Sequence, residues 1–226
     1  MYLCKKYLVM IITAPDLFLI DGELLTSDGF GGFMKIHNYQ GSLDGACSVY
    51  SLTMSLLYEN IVAYEETETP SRKNGGRLLK ELFSNYGLIK SGFHFSILKK
   101  IIEKYKTAHW RVEYKDGSPS ECVKGICREI GNGCAPIIGI GYCGLEYGHA
   151  LLAVGYEEND GKVEKIYCLD PGAPTPKTSV WNSYIDVRDL RKRSKYVNTM
   201  TTDHALVKIE DYIIIENKKD IPISRQ

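Results

Sequence analysis

Neither sign of charge dominates this chain. Its 226 residues carry 28 lysines and arginines against 28 aspartates and glutamates, so the cationic excess with which a general nucleic-acid binder neutralises phosphates is missing. Long apolar runs are missing as well. The most hydrophobic N-terminal stretch, Tyr7 to Ala14, meets Pro15 and Asp16 at once and falls far short of the roughly 20 apolar residues that cross a bilayer. Lys5 and Lys6 precede it as in a signal peptide, but the run is short and the Ala14-Pro15 junction is a poor cleavage site, so the stretch reads as a β-strand. With no other address in the sequence, the expectation is a cytoplasmic protein, with export by a dedicated machine left open. There is no CxxC pair, no GxSxG elbow and no GxxxxGK loop, which sets aside the usual zinc knuckle, serine-hydrolase and nucleotide-phosphate signatures. Repeats, low-complexity tracts and long linkers are absent too, so residues 1–226 read as one domain.

What is there is ordinary in bulk and particular in detail. A composition of 44% hydrophobic and 25% charged residues fits a soluble globular chain, and one of this length buries roughly 70% of the surface that the unfolded chain exposes. Seven cysteines are scattered along it: Cys4, Cys47, Cys122, Cys127, Cys134, Cys143 and Cys168. An odd number leaves at least one sulfur unpaired within the chain, and reduced, mostly buried thiols are the expectation. A metal module built from Cys122, Cys127, Cys134 and Cys143 is the alternative. No metal and no cofactor is expected.

The hydrophobic pattern changes period along the chain. Tyr7 to Thr13 and Leu17 to Ile20 read as strands followed by a turn at Asp28 to Gly32. A helix is predicted from about Cys47, where Val49, Leu52, Leu56 and Leu57 recur at helical spacing and Asp44 stands as N-cap. Further amphipathic helices are predicted over Arg77 to Tyr86, Phe95 to Lys106 and Ser120 to Ile130. Beyond Gly133 short apolar runs alternate with Gly, Asn and Pro turns: Ala135 to Ile140, His149 to Tyr156, Val163 to Leu169 and Ala205 to Ile215. Asn159-Asp160-Gly161 is a hairpin signal that makes the His149 and Val163 strands neighbours. The fold class is therefore α+β, with a mainly helical lobe over about 1–133, after its N-terminal β segment, and a mainly antiparallel β lobe over about 134–226. Basic residues gather between Arg72 and Arg128 and again in Arg188 to Lys195. They serve either as solvated faces or as a steering surface for an acidic partner or a membrane headgroup layer.

Three segments carry chemistry. In Tyr39-Gln40-Gly41-Ser42-Leu43-Asp44-Gly45-Ala46-Cys47-Ser48 a cysteine opens a helix, where free N–H groups and the helix dipole favour a thiolate and an oxyanion. In Gly148-His149-Ala150-Leu151-Leu152-Ala153-Val154-Gly155-Tyr156 a histidine stands at the end of an apolar strand. In Tyr167-Cys168-Leu169-Asp170-Pro171-Gly172 an aspartate ends the hairpin partner, and the return of the chain brings it close enough to fix the His149 tautomer through Nδ1–H. His109 and His204 have no carboxylate or cysteine at a telling interval, and His37 and His94 lie in or near loops; His37, close to the nucleophile segment, is a candidate substrate contact, but a surface imidazole is the expectation for it. The glycine-rich loop from Gly139 to Gly148 borders the proposed site as a gate.

In this order, Gln then Cys at a helix head, Gly-His-Ala on a strand and Asp-Pro after the next strand, the chain resembles the papain-like cysteine peptidases. The Asp-Pro pair is more similar to the double-glycine leader peptidases of bacterial peptide exporters and their free-standing relatives. The resemblance implies a papain-like fold with Cys47 as nucleophile, His149 as base, Asp170 as orienting residue and Gln40 as oxyanion donor beside the Cys47 N–H. It implies a hydrolase acting on a peptide or protein, with deamidase, peptidoglycan amidase or a silent binding scaffold as alternatives. A secreted bacterial effector with an inhibitory or immunity protein as partner fits the same resemblance. Three features depart from it: the Gln40 to Cys47 interval is one residue longer than usual, Ser48 stands where papain has Trp, and Asp44 places a negative charge near the thiolate.

Overall fold

The structure, a computed structural model, describes residues 9–41, 45–84, 92–188 and 198–218. In chain order these form β1 (Val9–Thr13), β2 (Leu17–Ile20), β3 (Glu23–Ser27), β4 (Phe33–Lys35), α1 (Cys47–Tyr58), a 3-10 turn (Tyr64–Thr67), α2 (Asn74–Ser84), α3 (Phe95–Glu103), β5 (Trp110–Asp116), α4 (Pro119–Gly131), β6 (Ile137–Tyr142), β7 (Gly148–Asn159), β8 (Lys162–Leu169), β9 (Ser183–Asp186), β10 (Asn198–Met200) and β11 (Ala205–Asn217).

Local chemistry accounts for the elements that matter to the site. Asp160 and Gly161 take φ of 49° and 73°, the two left-handed residues of a type I′ turn, and Asn159 pairs with Lys162 across them. β7 and β8 are thereby a tight hairpin, as its turn residues predict. α4 begins with a capping box: Glu121 N–H donates to Ser118 Oγ at 3.4 Å, and Ser118 N–H donates to the Glu121 carboxylate at 2.9 Å. Ala46 holds the N-cap position of α1 without a side-chain cap. Asp44, expected there, lies outside the described residues, as does all of the first strand before Val9.

The strands pair antiparallel throughout the described residues, in the order β1-β7-β6-β11-β10-β9-β8 with β5 alongside β11, and β7 also pairs β8. That last pairing returns the order to its start, so β6 to β11 close into a ring. A separate small sheet holds β2, β3 and β4. Strand alternation then sorts side chains between two cores. Ala150, Leu152 and Val154 of β7 enter the core shared with α1, α2 and α3. Leu151 and Ala153 enter the one shared with α4, Ile166, Ile185, Met200 and Ile209. The fold class is α+β. The helices α1 to α4 all precede residue 133 and β6 to β11 follow it, while β1 joins β7 and β5 joins β11. Sequence-distant edge pairing carries strands of the first half into the sheet of the second.

Candidate active site

α1 presents its first residue, Cys47, to the end of β7. Ser51, one turn later on the same face, donates its hydroxyl to the Ala150 carbonyl at 3.0 Å, which fixes the helix against the residue that follows His149. Ser48 Oγ accepts the Phe93 N–H at 2.8 Å. Ser48 thus fastens the chain before α3 to the head of α1. Gly148 keeps β7 close to β6, since a Cβ there would lie 2.3 Å from the Ile140 carbonyl oxygen.

His149 and Asp170 come together across the hairpin. His149 Nε2–H donates to Asp170 Oδ1 at 2.7 Å, which corrects the expected tautomer contact through Nδ1. Cys47 and His149 line the same cleft, and the sulfur is close enough to raise the imidazole pKa. Asp170 Oδ1 also accepts the Gly172 N–H at 2.7 Å and Oδ2 accepts the Thr202 hydroxyl at 2.7 Å. Burial opposes the carboxylate charge, yet the His149, Thr202 and Gly172 hydrogen bonds outweigh it and hold Asp170 below the usual range. Burial likewise opposes protonation of His149, but hydrogen bonds and charge from Asp170 and Cys47 prevail and raise it to about 10. Both partners thus favour the protonated imidazole.

The pair opens onto a cleft of about 590 Å³ lined by Cys47, Ser48, Phe93, Tyr147, His149 and Asp211, among others, within the range of about 300–1,000 Å³ usual for ligand sites. Leu145, Glu146 and Tyr147 of the β6–β7 connection form one wall, as the glycine-rich loop suggests. Farther along, Glu210 and Asp211 both reach the cleft because β11 bulges between Ile209 and Asp211. Burial pushes Asp211 up to about 6.

Gln40 does not line this cleft. Its N–H donates to the Pro171 carbonyl at 2.7 Å, which fastens the strap before α1 to the Asp170 loop, and its side-chain oxygen is buried. His37, expected at the surface, is 8% exposed and bound to the Asp170 carbonyl. His94 borders the cleft at the head of α3, and His109 and His204 are exposed. Thr202 and Asn182, which hold Asp170, were not singled out in the sequence; both lie in polar loops, where no period marks them.

The other cysteines differ from Cys47. Cys122, Cys127, Cys134 and Cys168 are buried, and desolvation pushes their thiols up, to about 11, 12 and 11 for the first three and well above the ordinary value for Cys168. Cys143 is exposed, and Cys4 lies outside the described residues. Among the described residues no group of three or more His, Cys, Asp or Glu is placed to hold a metal ion, and no helix is long and apolar enough to cross a membrane. Of the basic run after β9, Arg188 is paired with Asp186, and residues 189–195 lie outside the described residues. No known family model matches the chain, and no curated protein matches it.

Proposed function

We propose that this chain is a papain-like cysteine hydrolase, acting as a peptidase on a peptide or amide bond. The observation that carries the reading is the division of one imidazole. His149 gives Nε2 to a buried carboxylate and shares its cleft with a thiol at a helix start, which leaves its other nitrogen for the reaction. A helix start favours negative charge on sulfur and on an incoming oxyanion alike.

In the reaction, the Cys47 thiolate adds to the substrate carbonyl carbon, and the carbonyl π pair moves to oxygen. The Cys47 N–H stabilises that oxyanion, and Gln40, the second donor that the resemblance implies, has to turn its amide from the strap into the cleft to reach it. The C–N bond breaks as His149 Nδ1–H protonates the leaving amine, leaving a thioester. His149 then takes a proton from water, the hydroxide adds to the acyl carbon, and the C–S bond breaks to free the acid and the thiolate. Asp170 keeps the ring in place throughout. The scheme draws on no metal or organic cofactor. An inhibitory protein partner would act by covering the same cleft.

Comparing protein N-termini after exposure of a mixed proteome to wild type and Cys47→Ala tests this directly. New N-termini with wild type alone are expected. Gln-to-Glu mass shifts without new N-termini would make the enzyme a deamidase. Neither change, in cell-wall peptides as well, would contradict turnover and leave a binding scaffold.

A further inference from the structure

The loop that carries Asp170 has no ladder of its own to hold it. Between the end of β8 and the start of β9 the chain runs through Pro171, Gly172, Pro174 and Pro176, so side chains must fix the carboxylate that aligns His149. Asn182 takes both polar groups of the Asp170 main chain: its Oδ1 accepts the N–H at 2.7 Å and its Nδ2 donates to the carbonyl at 2.9 Å. The second clamp comes from the strap between β4 and α1. His37 Nε2–H donates to the same Asp170 carbonyl at 3.0 Å, and its Nδ1 accepts the Thr175 hydroxyl at 2.9 Å. One neutral imidazole thereby spans the loop from its first residue to its sixth. Ile36 beside it is fully buried, which anchors the strap from which the ring reaches out.

We propose that His37 is a positioning residue: by bridging the Asp170 carbonyl and Thr175 it holds the loop in the conformation that presents the Asp170 carboxylate to His149. The inference rests on the hydrolase reading, since only there does the alignment matter to a reaction. Histidine suits the place because a neutral ring donates at one nitrogen and accepts at the other. Burial keeps it neutral, pulling its pKa below the ordinary value against the raising effect of Asp170. An aliphatic side chain would fill the volume, take one of two donors from the buried Asp170 carbonyl and leave the exposed Thr175 hydroxyl to solvent, so the loop would lose its tie to the strap.

The test reads His149 itself. The ring proton of His149 is followed by NMR through a pH titration in wild type, His37→Leu and His37→Gln, with thermal unfolding of each recorded in parallel. Gln keeps an N–H donor near the Nε2 position and Leu keeps only volume. In folded His37→Leu the His149 titration moves down by about one pH unit, a roughly tenfold change in its protonation constant, and His37→Gln restores the wild-type value. Should His37→Leu not fold, Thr175→Val decides, with a downward shift in support and a wild-type titration against. A folded His37→Leu with an unmoved His149, or a His37→Gln that behaves as Leu does, overturns the inference while leaving the hydrolase reading intact. A wild-type His149 that titrates near 6.5 overturns the inference as well, because the Asp170 carboxylate then has no effect on the ring for the loop to preserve, and leaves the hydrolase reading to the N-terminal comparison.

Discussion

Two buried carboxylates show what separates a staple from a reacting group. Glu129 is 1% exposed and Asp170 2%, and partners outweigh burial to hold both below the ordinary carboxylate range. Glu129 of α4 meets Arg111 Nη2 at 2.6 Å and Arg128 at 2.8 Å, while Arg111 turns its Nε to Glu216 at 2.6 Å. Guanidinium groups do not give up protons in the working range, and neither Glu129 nor Arg111 lines the cleft of Cys47. Asp170 instead engages an imidazole, which titrates, and that imidazole shares an open cleft with a thiol. Burial and a depressed carboxylate are common to both clusters. The difference lies in a partner able to move a proton and in room for a substrate.

Substitution should pull the two clusters apart, first in activity. Cys47→Ala abolishes turnover, by about 10⁶-fold where a nucleophile is lost, and Asp170→Ala costs about 10⁴-fold. Asp170→Asn loses less, since its Oδ1 still accepts from His149, but it lowers the His149 pKa by removing the charge. Gln40→Ala costs about 10²-fold if it is the second oxyanion donor. All four are read as kcat/KM on a cleaved peptide. Glu129→Gln reverses the pattern: it destabilises by about 3 kcal/mol in denaturant unfolding, because Arg111 and Arg128 lose their buried partner, and leaves kcat/KM unchanged.

The dependence of stability on pH sharpens the contrast further. A folded-state pKa above the unfolded one means that the native state binds the extra proton, so His149 stabilises fully below about 6.5 and loses that contribution as pH rises through about 10. Asp170 and Glu129, both depressed, stabilise above their ordinary range and lose that contribution as pH falls through their folded values. Unfolding followed between about pH 7 and 10 should therefore show a decline that His149→Ala removes and Glu129→Gln does not. The smallest effect belongs to Thr202→Val, which strips one donor from Asp170 Oδ2. It raises the Asp170 pKa and moves the acid limb of the rate profile to higher pH, with about a tenfold loss in rate.

Part of this was legible in the residues. The Asp160-Gly161 turn, the helix starting at Cys47 and the return of Asp170 to His149 follow from local rules, since a tight hairpin and a helix start depend on few neighbours. The identity of the His149 nitrogen facing Asp170 was not legible, because it depends on how β7 and the Asp170 loop turn the two side chains toward each other. His37 was misplaced for a related reason: a histidine in an irregular strap carries no periodic signal, and its burial comes from a loop more than a hundred residues away. The mixing of halves through β1 and β5 is likewise a matter of edge pairing between distant segments, which composition and period do not encode.

The most direct test compares Cys47 with Cys143, the exposed thiol of the same chain. Both are labelled with iodoacetamide at about pH 6, where ordinary thiols are largely protonated, and peptide mass spectrometry gives the two rates in wild type and His149→Ala. The account predicts that Cys47 reacts much faster than Cys143 in wild type and no faster in His149→Ala. Equal rates in wild type, or a Cys47 advantage that survives the loss of His149, would contradict it.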